Sequence, residues 1–236
     1  PEFRAAVQQL TELAREESSK LQTAPAQNTI NSYLRSIAGE NVEFAVWNNR
    51  HMTIADGTTG DQEVASDCLG QGVTAQGAGI LNRVFGGKAV IQMPHFGGFI
   101  NRDSSEMPGE AEEQAKQADA VSAKPHMSVI VPVASPDGAG RIAALLIRSS
   151  ELDDDFNTIF LKARAESSGE TYAFNESGVM ISESRFNAQL RRIGLIDAAP
   201  ESISRLVVQI RDPGGNLTDG YTADLPVEAR PLTRMA

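Results

Sequence analysis

The sequence is poor in cysteine and in long apolar stretches. Its single cysteine, Cys68, cannot form an internal disulfide and has no Cys-x-x-Cys partner or neighbouring histidine, so we expect a buried structural thiol. The longest uninterrupted apolar run, residues 142–147, is far shorter than the roughly 18 residues that a bilayer span requires. The sequence therefore predicts neither a disulfide framework nor a membrane span within these residues.

The sequence also lacks the motifs of common enzymes and metal sites. It contains no Gly-x-Ser-x-Gly elbow, P-loop or dinucleotide-binding fingerprint, so we predict no catalytic residue and no cofactor. The three histidines show no zinc-site spacing, so a zinc site joining them to Asp56 or Asp103 has little support, and we predict no metal. The acidic residues within 151–155 lack the spacing of a calcium loop and are typical of a helix N-terminus.

Basic residues are outnumbered by acidic ones. The formal net charge is −10, from 31 acidic and 21 basic residues, which disfavours binding to polyanions, and we predict no nucleic-acid partner. Hydrophobic residues make up 41% and charged residues 22% of the chain, the composition of a folded globular protein.

Helical patterns dominate the first forty residues. Apolar residues recur every three or four positions from Phe3 to Leu21, which predicts one long amphipathic helix. Pro25 is expected to kink or end it, and Asn28 to cap a second helix that ends at Gly39.

Strand patterns follow, and together they indicate an α+β fold. Alternating or β-branched runs predict five strands that form one antiparallel sheet, with helices segregated around it and a further helix that Ser149 or Ser150 caps. The five predicted strands are residues 41–47, 52–55, 88–93, 127–133 and 141–148. Residues 61–85 suggest two short helices, and residues 95–124 a long polar excursion.

The last third of the sequence predicts a second, incomplete unit. Residues 170–174 and 179–181 are two short strand patterns separated by Asn175-Glu176-Ser177-Gly178, which predicts a hairpin. A short helix at residues 186–193 and a strand at 206–210 follow. About three strands are few for a self-supporting core.

This order of elements resembles a double Cache (dCache) domain, the tandem PAS-like sensor module of bacterial transmembrane receptors. The segments that carry the resemblance are residues 128–133 with 138–147 and Asp155-Phe156, then residues 169–174 with 178–186, then residues 190–196 and 211–217. The first group resembles the end of a membrane-distal lobe. The second and third resemble the opening of a membrane-proximal lobe in receptors attached to histidine kinases, Ser/Thr kinases or nucleotide cyclases.

The resemblance implies a domain organisation and a location. Residues 1–40 would form an N-terminal helical stalk, residues 41–164 the membrane-distal PAS-like lobe, and residues 165–236 a truncated membrane-proximal lobe. The chain begins without Met inside a helical pattern, so we expect an extracytoplasmic fragment whose flanking membrane helices and cytoplasmic output domain lie outside it. In the full-length receptor we expect a homodimer.

Members of this family bind a small molecule in the distal lobe, which implies where to look for a site. Residues at predicted strand ends and loops could converge there and hold a carboxylate or another polar metabolite; they are Trp47, Arg50, His51, His95, Phe96 and His126. Core packing is the alternative for Trp47, and surface or satisfied core positions for the histidines. The aromatic and arginine motif of amino-acid-binding members is missing, which argues against an amino-acid ligand.

Two functions from different classes remain open. The first is a ligand-binding sensor, in which occupancy shifts the position of the N-terminal helix. The second is a dimerisation or protein-interaction ectodomain without a small-molecule ligand, in which that helix pairs with its copy through its apolar stripe. A hydrolase using Asp or His residues of the distal loops is a weaker third reading.

Overall fold

The chain divides into two compact units, Pro1–Ser150 and Glu151–Ala236. A computed structural model describes residues 1–40, 42–59, 68–95, 125–163, 169–216, 219–226 and 229–231. The predicted division at residues 40 and 164 stays a prediction, and the helices of residues 1–40 belong to the first unit.

Two helices open the first unit. Helix α1 (Glu2–Glu16) ends earlier than predicted, and a 3₁₀ turn (Ser18–Lys20) leads to helix α2 (Pro25–Ala38). Pro25 occupies the first turn of α2, where its missing N–H has no helical partner to lose. The predicted cap at Asn28 is therefore wrong, since α2 begins three residues earlier. Gly39 ends α2 with a positive φ of 91°.

A five-stranded antiparallel sheet forms the centre of the first unit, as predicted for an α+β fold. Its strands lie in the order β2-β1-β5-β4-β3, so β2 and β3 are the two edges. The strands are β1 (Glu43–Asn48), β2 (Thr53–Thr58), β3 (Val90–His95), β4 (His126–Ala134) and β5 (Arg141–Ser149). The predicted 61–85 region contains helix α3 (Ala75–Phe85), while residues 60–67 and 96–124 lie outside the described residues.

The two faces of the sheet bury different helices. On one face, the stripe of α1 packs with alternate strand residues such as Phe44, Val46 and Leu145. On the other, hereafter the α3 face, Leu81 and Val84 of α3 pack with a second set of alternate strand residues, which are Ala45, Trp47, Val90, Ile130, Ala144 and Leu146. Because side chains alternate between the faces of a strand, β1 and β5 contribute to both clusters.

The second unit has little regular structure in its described part. Helix α4 (Ser150–Lys162) leads into it, and helix α5 (Asn187–Arg192) lies near the predicted helix at 186–193. The predicted hairpin forms its turn, where Gly178 has a φ of 73°, but its pairing is one antiparallel bridge, Phe174↔Met180. The strand predicted at 206–210 likewise reduces to one bridge, Val179↔Gln209. The β-like composition of these segments predicts strands, yet in the described part of the unit their pairings are isolated bridges and not a continuous ladder.

Within the described residues, the helices are too short or too polar to cross a bilayer.

Candidate functional site

A row of polar side chains crosses all five strands on the α3 face. The register aligns Thr58 with Glu43, Glu43 with Arg148, Arg148 with Ser128, and Ser128 with Gln92. Each of these residues lies two positions along its strand from a residue aligned with the apolar α3 cluster. Because side chains alternate between the two faces of a strand, all five side chains lie on the α3 face. We call these five residues the polar row.

The middle of the polar row is buried without complete hydrogen bonding. Ser128 has 0% exposure, and its hydroxyl has no hydrogen-bond partner among the described residues. On the neighbouring edge strand, the buried Gln92 Oε1 also lacks a partner in this described part of the chain. Such groups are uncommon in native proteins because each costs about 1–3 kcal/mol to bury unpaired. These two groups lie on paired positions of β4 and β3.

An ion pair lies beside this buried pair. Arg148 Nε donates a hydrogen bond to Glu43 Oε2 at 2.6 Å, and Arg148 Nη2 contacts the same oxygen. The Glu43 side chain is half-exposed and that of Arg148 is more buried, at 27% exposure. The polar row thus runs from a solvent-accessible charged pair on β1 and β5 to buried neutral groups on β4 and β3.

Asp56 lies on the same face, on strand β2. Burial raises the pKa of its carboxyl above the ordinary value, whereas hydrogen bonds from Cys68 and Gly57 and the charge of Arg148 act in the opposite direction. Cys68 is only half-buried, so the expectation of a buried thiol is not met. The face therefore offers a carboxyl group, a guanidinium group, a hydroxyl and an amide to a bound molecule.

Three predicted site residues lie at or near the β1–β2 turn. Trp47 has 0% exposure and packs in the α3 cluster, which is the core-packing alternative named above. Arg50 is exposed in the turn, and the ring of His51 lies 6.0 Å from that of Phe85 in a stacked arrangement.

The other described members of the predicted set lie at the opposite end of the sheet. His95 and His126 are partners in the β3–β4 register, and His95 Nδ1 lies 3.0 Å from the carbonyl oxygen of Met93. Trp47 aligns through β5 with Pro132, six residues along β4 from His126, a separation of about 20 Å at the rise of a strand.

The six predicted residues therefore do not meet around one small ligand. Phe96 lies outside the described residues. Ligand binding by the residues near the β1–β2 turn, or by His95 and His126 at the other end, stays a prediction.

Sequence reasoning missed the polar row. Ser128 alternates with Met127 and Val129 along β4, so a polar inward position was visible in the strand pattern. The sheet register pairs Ser128 with Arg148, 20 positions later in the sequence, and with Gln92, 36 positions earlier. The local sequence around Ser128 does not reveal these two neighbours. Among the described residues, no group of three His, Cys, Asp or Glu side chains is placed to hold a metal ion.

No protein-family model and no curated protein matches the chain. Solved structures similar to it include the ligand-binding domain of the Pseudomonas fluorescens chemoreceptor CtaA in complex with L-serine, at 8% identity and a TM-score of 0.36. That match covers 78% of this chain and 66% of the chemoreceptor domain, so the chain spans about two thirds of that domain's length.

Two further solved structures are similar at the same distant level. An extracellular domain attributed to a histidine kinase, mmHK1S-Z3, is 12% identical with a TM-score of 0.38, covering 92% of this chain and 73% of that one. The A. Aeolicus nlh2 GAF domain in an inactive state is 13% identical with a TM-score of 0.29, covering 67% and 88%. The sheet topology of the chain itself, β2-β1-β5-β4-β3, defines the fold of the first unit.

Proposed function

We propose that the first unit is the extracytoplasmic small-molecule-sensing domain of a transmembrane signal-transduction receptor, and that it binds a small polar metabolite at the polar row. The observation that carries the proposal is the fully buried Ser128 hydroxyl, which lacks a hydrogen-bond partner among the described residues and lies beside Gln92 Oε1 in the same condition. A ligand that hydrogen-bonds both groups removes the cost of burying them unpaired.

The sheet supplies a physical route from this site to the N-terminal helix. Strand β5 carries Leu146 on the α3 face and Leu145 in the cluster that packs against α1. Strand β1 does the same with Ala45 and Val46. Because close-packed cores transmit small displacements, a ligand that shifts β5 or β1 changes the preferred position of α1.

The remaining parts of the proposal follow from the resemblance to sensor regions. The receptor would have membrane helices on both sides of this chain, a cytoplasmic output domain such as a histidine kinase, and a homodimeric state. The second unit would be the membrane-proximal lobe, through which occupancy of the first unit reaches the membrane. We assign no catalytic activity to either unit.

Ligand screening by thermal shift tests the proposal. A library of small polar metabolites, including carboxylates, is expected to contain a compound that raises the melting temperature at saturation, since a ligand at 100 times its Kd stabilises the fold by about 2.7 kcal/mol. Calorimetry then compares wild type with Ser128→Ala. Loss of one hydrogen bond is expected to weaken binding about tenfold.

A matched control is available on α2. Ser32 is exposed, so Ser32→Ala is expected to bind the same compound as tightly as wild type does. The proposal fails if a broad library yields no thermal shift, or if Ser128→Ala and Ser32→Ala bind a hit equally well.

The alternative, a dimerisation ectodomain without a ligand, loses the feature that motivated it. The α1 stripe of Phe3, Val7 and Leu10 is buried in the core of its own unit. On α2, Tyr33 and Ile37 are 43% and 57% exposed. Light scattering over a range of concentrations distinguishes the two functions, because a chain that stays monomeric while binding a metabolite is a sensor and not an obligate pairing module.

A further inference from the structure

A small cleft lies within the second unit, near the start of the segment predicted as a hairpin. It is small and open to the surface: its empty volume, open solvent included, is about 180 Å³. It is lined by Phe160, Leu161, Glu170, Thr171, Glu183 and Arg185. Three residues of this lining are charged, Glu170, Glu183 and Arg185.

Two carboxylates of the cleft are held by hydrogen bonds to one oxygen each. Glu170 Oε1 accepts from Ser184 Oγ at 2.6 Å and from the backbone N–H of Arg185 at 2.9 Å. Glu183 Oε1 accepts from the N–H and the hydroxyl of Ser204, at 2.8 and 2.9 Å. The serines are themselves buried, so both glutamates are fixed in position by the framework of the unit.

The second oxygen of Glu183 is buried and has no hydrogen-bond partner among the described residues. Nearby, Asn187 Nδ2 donates to Glu183 Oε1, while Asn187 Oδ1 is a second buried oxygen without a partner in the described chain. Both of these atoms are acceptors. What would satisfy them is a hydrogen-bond donor, and an anion or a carbonyl group would leave them unpaired.

The charges of the lining point to a cation. Two glutamates and one arginine leave the lining one negative charge in excess, and the Arg185 guanidinium lies over the Phe186 ring at 4.4 Å. A buried carboxylate is costly unless a positive group balances it. One monovalent cation with N–H donors would balance the charge and satisfy Glu183 at once.

We propose that this cleft binds the ammonium group of a small organic amine. The lining supplies two carboxylates and one threonine hydroxyl, fewer protein oxygens than the six to eight ligands that calcium takes, and among the described residues no group of three His, Cys, Asp or Glu side chains is placed to hold a metal ion. The ring of Phe160 suits an ammonium ion, which is attracted to an aromatic face. This site lies in a different unit from the polar row and does not depend on the sensor function proposed for it.

Methylammonium chloride is the probe, titrated at millimolar concentration into the 236-residue chain while backbone amide resonances are recorded. The Arg185 and Ser204 amides, which are hydrogen-bonded to the two carboxylates, are expected to shift saturably. Potassium chloride at equal ionic strength is expected to leave them unchanged. Tetramethylammonium has the same charge and no N–H donor, so its affinity is expected to be at least tenfold weaker.

Variants decide whether the cleft is responsible. Glu183→Gln keeps the size of the side chain and removes its charge, and is expected to raise the Kd for methylammonium about tenfold or more. Glu176→Gln, an exposed position in the Asn175–Gly178 turn, is the matched control and is expected to bind as wild type. If Glu183→Gln does not fold, Glu170→Gln replaces it with the same expectation.

The proposal is overturned if methylammonium shifts neither amide, if tetramethylammonium binds equally well, or if the cleft variant and the Glu176→Gln control have the same affinity. Ser128→Ala, in the other unit, is expected to leave methylammonium binding unchanged. A failure of this site therefore leaves the metabolite screen on the first unit intact, and a failure of that screen leaves this site intact.

Discussion

In the proposed sensor, the Ser128 hydroxyl favours ligand binding but lowers the stability of the unliganded fold. A buried hydroxyl without a partner destabilises the unliganded fold, so its removal should stabilise the chain. We predict that Ser128→Ala raises the free energy of unfolding by about 1–3 kcal/mol in the absence of ligand, measured by urea denaturation. Most substitutions of buried residues have the opposite sign, which makes this result informative.

The exposed Ser32 again provides the comparison. Ser32→Ala is expected to change the free energy of unfolding by no more than about 0.5 kcal/mol. A loss of stability in Ser128→Ala similar to that of an ordinary core substitution would mean that the hydroxyl is already satisfied inside the chain, and the argument for a ligand at the polar row would lose its basis.

Asp56 gives the same face a dependence on pH. Burial raises the pKa of its carboxyl in the folded state, so the protonated form is favoured by folding. The contribution of this group to stability is complete below the unfolded-state pKa of about 4 and is lost as the pH rises through the higher folded-state value. We predict that Asp56→Asn is more stable relative to wild type at pH 7 than at pH 4, measured by urea denaturation at both pH values.

Asp137, in the β4–β5 turn, is a control of opposite sign. Hydrogen bonds from Ser135 and from the N–H of Ala139 lower the pKa of its carboxyl. Its contribution is present above the unfolded-state pKa and is lost as the pH falls through the lower folded-state value. Asp137→Asn should therefore lose more stability at pH 7 than at acid pH, and a shared direction for both variants would contradict the assignment of Asp56.

Among the elements, α3 depends on a single capping residue. Thr74 Oγ1 accepts a hydrogen bond from the N–H of Gly77 at 3.0 Å, at the start of the helix that covers Trp47. We predict that Thr74→Ala lowers the free energy of unfolding by about 0.5–2 kcal/mol. Trp47 is the only tryptophan and is fully buried, so its fluorescence reports the loss of this packing during urea denaturation.

Thr74→Ser keeps a hydroxyl that can cap the helix. It is expected to retain most of the stability that Thr74→Ala loses, because serine and threonine are both favourable at this position. Equal losses in the two variants would show that the methyl group of Thr74, rather than its capping bond, contributes to the stability of α3.

The elements also show what local sequence can predict. The strands of the sheet were predicted to within about three residues at each end, because each has an apolar pattern of its own. The strand patterns at 170–174 and 179–181 are equally β-like, but their pairings are isolated bridges, Phe174↔Met180 and Val179↔Gln209, and short strand pairs of this kind are marginal on their own. The polar row was missed for a related reason, because its register joins four separate pairs of strands.

At the scale of the whole molecule, the two units differ in how much apolar core they contain. The first unit buries two clusters on opposite faces of its sheet. The described part of the second unit has one cluster of three buried residues, Met180, Ile196 and Val208. Because burial of apolar area is the main source of stability, the second unit should open at a lower free energy than the first.

Native-state hydrogen exchange measures this difference. The N–H of Met180 is bonded to the carbonyl oxygen of Val208 at 2.9 Å, and that of Leu206 to Met180 at 2.7 Å. We predict that these amides exchange at a lower free energy of opening than those of the central strand β5, which pairs on both sides.

Met180→Ala makes the prediction specific to one unit. Truncating a methionine in a core costs about 2–5 kcal/mol, so protection of the Leu206 and Val208 amides is expected to fall while that of β5 is unchanged. Leu225→Ala, a side chain 50% exposed in the same unit, is expected to change neither. If Met180→Ala lowers protection in β5 by the same amount, the two units unfold as one cooperative body, and a distal signal would have to pass through a single rigid fold rather than between separable lobes.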